Sequence, residues 1–174
     1  NGTCIYGPII PNEEEVITTL NYTLTNTNDA TDVVILTWED LDGDGSGTPV
    51  ITDGTLKASS IYNGSMELLN KTETPAEDIT EEILEEDDEH QFFFESSEST
   101  ITVAYNDIDS TVSPGPFPVG LQSILTTTTI GQDTLKVTLI HTPNKTASGV
   151  SDGDITNAGG SVDVEVSFPI NVIQ

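Results

Sequence analysis

Over residues 161 to 172, Val162, Val164, Val166, Phe168, Ile170 and Val172 alternate with Asp163, Glu165, Ser167 and Asn171, and this pattern constrains the fold more than any other. Successive side chains of a strand point to opposite faces, so a period of two predicts a strand with the apolar set on a core and the polar set in water. The pattern recurs upstream. Val16, Thr18, Leu20, Tyr22 and Leu24 alternate with Ile17, Thr19, Asn21 and Thr23, and residues 61 to 69 place Tyr62, Met66 and Leu68 on one face. Residues 91 to 94, 100 to 105, 120 to 129 and 134 to 141 also read as strands, and the almost continuous apolar run 33 to 38 predicts a central strand covered on both faces. About eight strands separated by Gly, Pro and Asn turns predict an all-β fold, an immunoglobulin-like antiparallel β-sandwich. The aperiodic residues 1 to 15, with Gly2, Gly7, Pro8 and Pro11, read as an extended leader or tether, and residues 16 to 174 as a single domain.

One segment departs from the strand pattern. Thr74, Pro75 and Glu77 form a helix-start signature, a capping hydroxyl, proline in the first turn and an acid three residues after the cap. With Ile79, Ile83 and Leu84 as its apolar stripe, a short helix is predicted over residues 75 to 86. Five consecutive acids, Glu85, Glu86, Asp87, Asp88 and Glu89, fall at its C-terminal end, where the helix dipole disfavours negative charge. Water, a cation or the nearby imidazole of His90 has to compensate.

Charge narrows the function classes. Thirty Asp and Glu stand against four Lys and Arg, a formal net charge of −26. Nucleic acid is excluded as a partner, because binding it requires Lys and Arg to neutralise phosphates, and anionic lipid headgroups are disfavoured for the same reason. Cations and basic partners are attracted instead. Cys4 is the single cysteine, so no intrachain disulfide forms. A lipid-attachment cysteine would have to precede Asn1. No apolar run approaches the roughly 20 residues that span a bilayer.

Two sets of residues suit metal chemistry. Asp40, Asp42 and Asp44 lie in a D-x-D-x-D-G segment, where alternate carboxylates can converge on calcium. The twelfth position is Ile51, so the segment is not an EF-hand, and a plain Asp-Gly turn is the competing reading. Asn106 to Asp109 and Asp152 to Asp154 are weaker versions. The second set is Glu86, Asp88 and His90 from the acidic run, joined by the distant His141, since imidazole plus carboxylate suits zinc or a similar transition metal. A solvated acidic edge with two unrelated histidines is the alternative. Motifs for nucleophilic, metalloprotease or phosphate-loop chemistry are missing from the sequence, so a non-enzymatic binding protein is expected.

Several segments carry a resemblance: residues 12 to 19, Asp40 to Asp44, residues 69 to 82, Glu89 to Phe93, Val119 to Leu121 and His141 to Lys145. They look like a family of small, acidic flavobacterial (Bacteroidota) surface lipoproteins, often labelled a type 1 periplasmic-binding-fold superfamily. That label implies an α/β fold, whereas the residue pattern here implies β. The resemblance implies an exported protein of the outer membrane or cell surface, assisting a TonB-dependent receptor in nutrient or metal capture, with that receptor as partner; the two residue sets above make calcium or zinc the candidate cofactor. Asp109-Ser110-Thr111 and Asp133-Thr134-Leu135 resemble the O-glycosylation acceptor pattern of these bacteria, which makes Ser110 and Thr134 candidate acceptors. A structural subunit of an extracellular filament is the alternative function. In that reading the leader pairs with an exposed sheet edge of a neighbour.

Overall fold

The computed structural model describes residues 15 to 41, 47 to 108 and 116 to 174. Eleven strands and one α-helix follow in the order β1 (Thr19–Asn26), β2 (Val33–Glu39), β3 (Val50–Thr52), β4 (Gly54–Lys57), β5 (Ile61–Asn70), β6 (Glu77–Asp78), α1 (Ile79–Glu85), β7 (His90–Ser96), β8 (Ile101–Tyr105), β9 (Gln122–Thr127), β10 (Gly131–His141) and β11 (Ser161–Ile173). One sheet has the order β3-β2-β1-β5-β9-β8, with β6 added to β5, and the other has the order β4-β11-β10-β7. The expected all-β sandwich with one short helix is what the chain forms. None of the described helices is long and apolar enough to cross a membrane.

The alternating segments build the core between the sheets. Leu20, Tyr22 and Leu24 of β1 and Tyr62, Met66 and Leu68 of β5 meet Phe92, Leu135, Val137, Leu139, Val164, Val166 and Phe168 of the second sheet. Each fully buried side chain of this size contributes roughly 1.5–3 kcal/mol of transfer free energy, so the two-residue period is also the main source of stability. The outer face of the second sheet is covered at one end by a smaller cluster of Phe93, Ile140, Val150 and Ala158. Val150 belongs to the first of two 3-10 turns, Val150–Asp152 and Ile155–Asn157.

Four sequence expectations change. First, β2 is not covered on both faces: Val33 and Ile35 are exposed while Leu36 is buried, because only the first sheet's inner face meets a layer. Second, residues 40 to 54, which read from their Asp and Gly content as a loop, contain β3, and β4 begins at their end; strands of three and four residues are too short to show a period. β4 runs parallel to β11, the one parallel pairing among the described residues. Third, the helix begins at Ile79 rather than at residue 75, because Glu77 and Asp78 first pair with Asn70 and Leu69 of β5. Asp78 then caps it, accepting from the Thr80 amide at 3.0 Å. Ile79 and Ile83 are buried, and Leu84 is exposed.

The fourth change positions the site. In the β10–β11 ladder, Leu139 pairs with Val164 but Ile140 pairs with Val162, so Asp163 is an extra residue on β11 at a shift of register. Such a β-bulge flips the alternation on one side of it. Val162, expected in the core, is 56 % exposed, and the Asp163 side chain, expected outside, is 2 % exposed.

Candidate metal centre

His90 opens β7 and His141 closes β10, and the two are direct partners in the antiparallel ladder. By the strand period, His90 shares the inner face with Phe92 and His141 shares it with Leu139, so two imidazoles continue the core at one end of the sandwich. Their rings stack with centroids 4.6 Å apart. Three carboxylates converge on them from separate elements. Glu86 is the C-terminal cap of α1, Asp163 is the bulge residue of β11, and Glu15 precedes β1. Glu15, which the sequence places at the end of the leader, has a side chain only 1 % exposed.

The distances describe a compact polyhedron of donors. Glu15 Oε1 lies 3.2 Å from His90 Nε2, and Glu15 Oε2 lies 3.7 Å from His141 Nδ1. Asp163 is 3.8 Å from the same two ring nitrogens, through Oδ2 and Oδ1 respectively. One donor atom from each of Glu15, Glu86, His90 and His141 can be chosen so that all lie within 4.8 Å of one another. Zinc bonds of about 2.0–2.2 Å in tetrahedral geometry place donors roughly 3.4 Å apart, so these side chains would have to draw inward around an ion.

Protonation makes this arrangement informative. His90 Nδ1 faces the Glu86 main-chain carbonyl at 3.1 Å, and a carbonyl only accepts, so Nδ1 carries a proton. In the neutral ring, Nε2 is then a bare lone pair. It faces the Glu15 carboxylate, and His90 Nε2, both Glu15 oxygens and Glu86 Oε2 are buried without a hydrogen-bond partner. Acceptors so placed are resolved by a second proton on the ring or by a cation between them. The carbonyl-anchored imidazole is the tautomer used by metal-ligating histidines. His141 has the same design, with Nε2 3.5 Å from the half-exposed carboxylate of Glu89 and Nδ1 turned inward.

The protein's basic side chains are committed elsewhere. Lys57 pairs with Asp32 at 3.0 Å, Lys71 with Glu39, and Lys136 with Glu95 at 2.6 Å. Lys145 is buried and donates to the carbonyls of Asp87 and Pro118 at 2.6 and 3.0 Å. Since Lys and Arg total four, no basic side chain among the described residues is paired with Glu15 or Glu86. Lys145 and His90 also answer the unfavourable helix end, because both place a donor on main-chain carbonyls of the acidic run. Negative charge around the site is felt nearby: burial, then the carboxylates of Glu15, Glu86 and Glu77, hold the Glu82 carboxyl above its ordinary range.

The structure therefore brings Glu86, His90 and His141 together and leaves Asp88 exposed, pointing away. Asp40 follows β2 and its amide donates to the Thr18 carbonyl at 2.8 Å, while Asp42 and Asp44 lie outside the described residues. Two of the weaker acidic segments hold turns: Asp107 accepts from the amides of Gly120 and Gln122, each at 2.8 Å, and Asp154 accepts from Thr156 at 2.9 Å. Ser110 lies outside the described residues, and Thr134 is half-buried within β10. Sequence reasoning missed Glu15 and Asp163. Glu15 sits in an acidic triplet without periodicity, and Asp163 sits in a perfect alternation that only the bulge interrupts. The donor set among the described residues, two imidazoles and carboxylates, suits zinc and similar divalent ions rather than calcium, which takes oxygen ligands. No family model, curated protein or solved structure matches this chain, so the geometry of this cluster carries the functional reading.

Proposed function

We propose that the protein is a non-enzymatic, exported accessory protein whose folded domain captures a divalent transition-metal ion, zinc or a chemically similar cation, through Glu15, Glu86, His90, His141 and Asp163. The observation that carries this reading is the pairing of buried acceptors, His90 Nε2 against the Glu15 carboxylate at 3.2 Å, with no lysine among the described residues paired with Glu15 or Glu86. Closed, buried ligand sets serve retention rather than catalysis, because a catalytic metal keeps an open position for substrate. A net charge of −26 raises the local cation concentration around such a site. The resemblance to surface lipoproteins supports a place at the outer membrane beside a TonB-dependent receptor, with metal supplied to or held for that receptor.

The test is titration of the metal-free protein with zinc, followed by calorimetry and by metal analysis after desalting. One ion per chain is expected, with a dissociation constant on the order of micromolar or tighter. His90→Ala should lose that binding and keep the fold. Failure of the wild type to retain zinc, manganese or iron would remove the metal reading. Purification from native outer membranes with identification of co-purifying proteins tests the receptor, and recovery without any receptor counts against the accessory role.

A further inference from the structure

The ligands differ in how firmly the fold holds them. His90, His141 and Asp163 stand on strands laddered into the second sheet, and Glu86 closes a helix whose Ile79 and Ile83 are core residues. Glu15 stands on none of these. It lies on the irregular stretch that leads to β1, four residues before the strand begins at Thr19. The main-chain ties of that stretch start at Thr18, whose amide and hydroxyl both donate to the Leu69 carbonyl, at 3.0 and 3.1 Å. Upstream of Thr18, the buried side chain of Ile17 is the nearest hydrophobic anchor.

The centre is also closed. Side chains of Glu15, His90, Asp163 and His141 are 1, 0, 2 and 6 % exposed, so an ion cannot reach the inward-facing donors without one of them withdrawing. Moving His90, His141 or Asp163 breaks a β-ladder, and moving Glu86 disturbs the end of α1. Moving Glu15 breaks no ladder among the described residues. Both Glu15 oxygens are buried without hydrogen bonds, so in the metal-free protein the desolvation of its carboxylate favours its departure.

We infer that Glu15 is the mobile ligand of the metal centre and that ion binding latches the segment before β1 onto the end of the sandwich. This inference rests on the metal-binding reading above and adds to it a consequence for the chain. The ion enters as residues 15 and 16 swing away. Once bound, it draws the Glu15 carboxylate in and fixes residues 15 to 17 against the end of the sandwich. Metal occupancy is thereby converted into a change at the N-terminal edge of the fold, where a tether or a partner can sense it.

Hydrogen exchange read by mass spectrometry on the full chain tests the latch, with zinc alone as the probe. In the wild type, zinc should slow exchange of the amides of Val16 and Ile17 by about tenfold or more, while the β1 amides from Leu20 to Leu24 stay protected with and without metal. Glu15→Gln should keep the fold, bind zinc about tenfold or more weakly by calorimetry, and lose the protection at residues 16 and 17. Zinc binding with unchanged exchange at those amides overturns the latch and leaves the metal site standing. So does a Glu15→Gln protein that binds zinc as tightly as the wild type. Absence of zinc binding in the wild type overturns both.

Discussion

The two ends of β10 bury carboxylates in opposite ways. Near its start, Asp133 accepts seven hydrogen bonds: from the hydroxyls of Ser96, Ser97 and Thr100 and from the amides of Ser97, Glu98, Thr100 and Thr134, at 2.6 to 3.1 Å. At its other end, His141 meets Glu15, Asp163 and Glu89, and buried oxygens of Glu15 and Glu86 find no donor. Burial raises the Asp133 carboxyl, but the bonds from Thr100, Ser96, Glu98 and Thr134 outweigh it and hold the group well below the ordinary range. A saturated buried acid organises a turn, whereas an unsaturated cluster asks for a cation. Donor supply, more than burial or acid count, separates the two sets of carboxylates in this molecule.

Breaking the saturated end should have the largest effect. Asp133→Asn leaves several donors against an amide and should cost about 3 kcal/mol in urea denaturation, the same with and without zinc. A loss within about 0.5 kcal/mol, the range of ordinary surface changes, would remove Asp133 from its side of the contrast. The sign of its pH dependence follows from its lowered folded value. Its contribution is complete above the ordinary aspartate range, near pH 4, and is lost as pH falls through the lower folded value. The stability gap between wild type and Asp133→Asn should therefore be flat at neutral pH and narrow only in strong acid.

Zinc should sharpen the contrast from the other end. At a hundredfold excess over the dissociation constant, it should add about 2.7 kcal/mol to stability. For a chain of this size that is about 5 to 10 °C in melting temperature. Asp133→Asn should keep this increment and His90→Ala should lose it. Asp163→Asn should weaken zinc binding by about ten- to a hundredfold, measured by competition with a chromophoric chelator, and unchanged affinity would leave the bulge without a role in the centre. The smallest expected change is at Glu82. Glu82→Gln should stabilise the metal-free protein by no more than about 0.5 kcal/mol, by removing one repelling charge, and the gain should shrink once zinc is bound. A gain unaffected by zinc would detach Glu82 from the field of the centre.

Much of the fold was legible because it follows from period. The cores of β1, β5, β7, β8, β9, β10 and β11 were visible as alternation or apolar runs, and the faces assigned to Tyr22, Tyr62, Met66 and Leu68 are the buried ones. β3 and β4 were not visible, since strands of three and four residues carry too few alternations, and β4 pairs with β11, distant in sequence. Glu86, His90 and His141 could be proposed together from chemistry alone. Nothing local could tell that Asp88, two residues from both Glu86 and His90, turns outward instead.

By itself the sequence determined the β class, the composition of the core, the acidic surface and the scarcity of basic residues that leaves a buried acid cluster without an internal counter-ion. Tertiary structure decided which acids matter. The β10–β11 ladder brings residues 141 and 163 together, the β7–β10 ladder brings 90 to 141, and Ile17 and Thr18 dock the stretch that carries Glu15. A single extra residue at the bulge turns Asp163 from solvent to site. Local periodicity fixes the face of each side chain relative to its strand neighbours. Convergence of five side chains from five segments depends on register and closure, which are long-range properties that no short window of residues encodes.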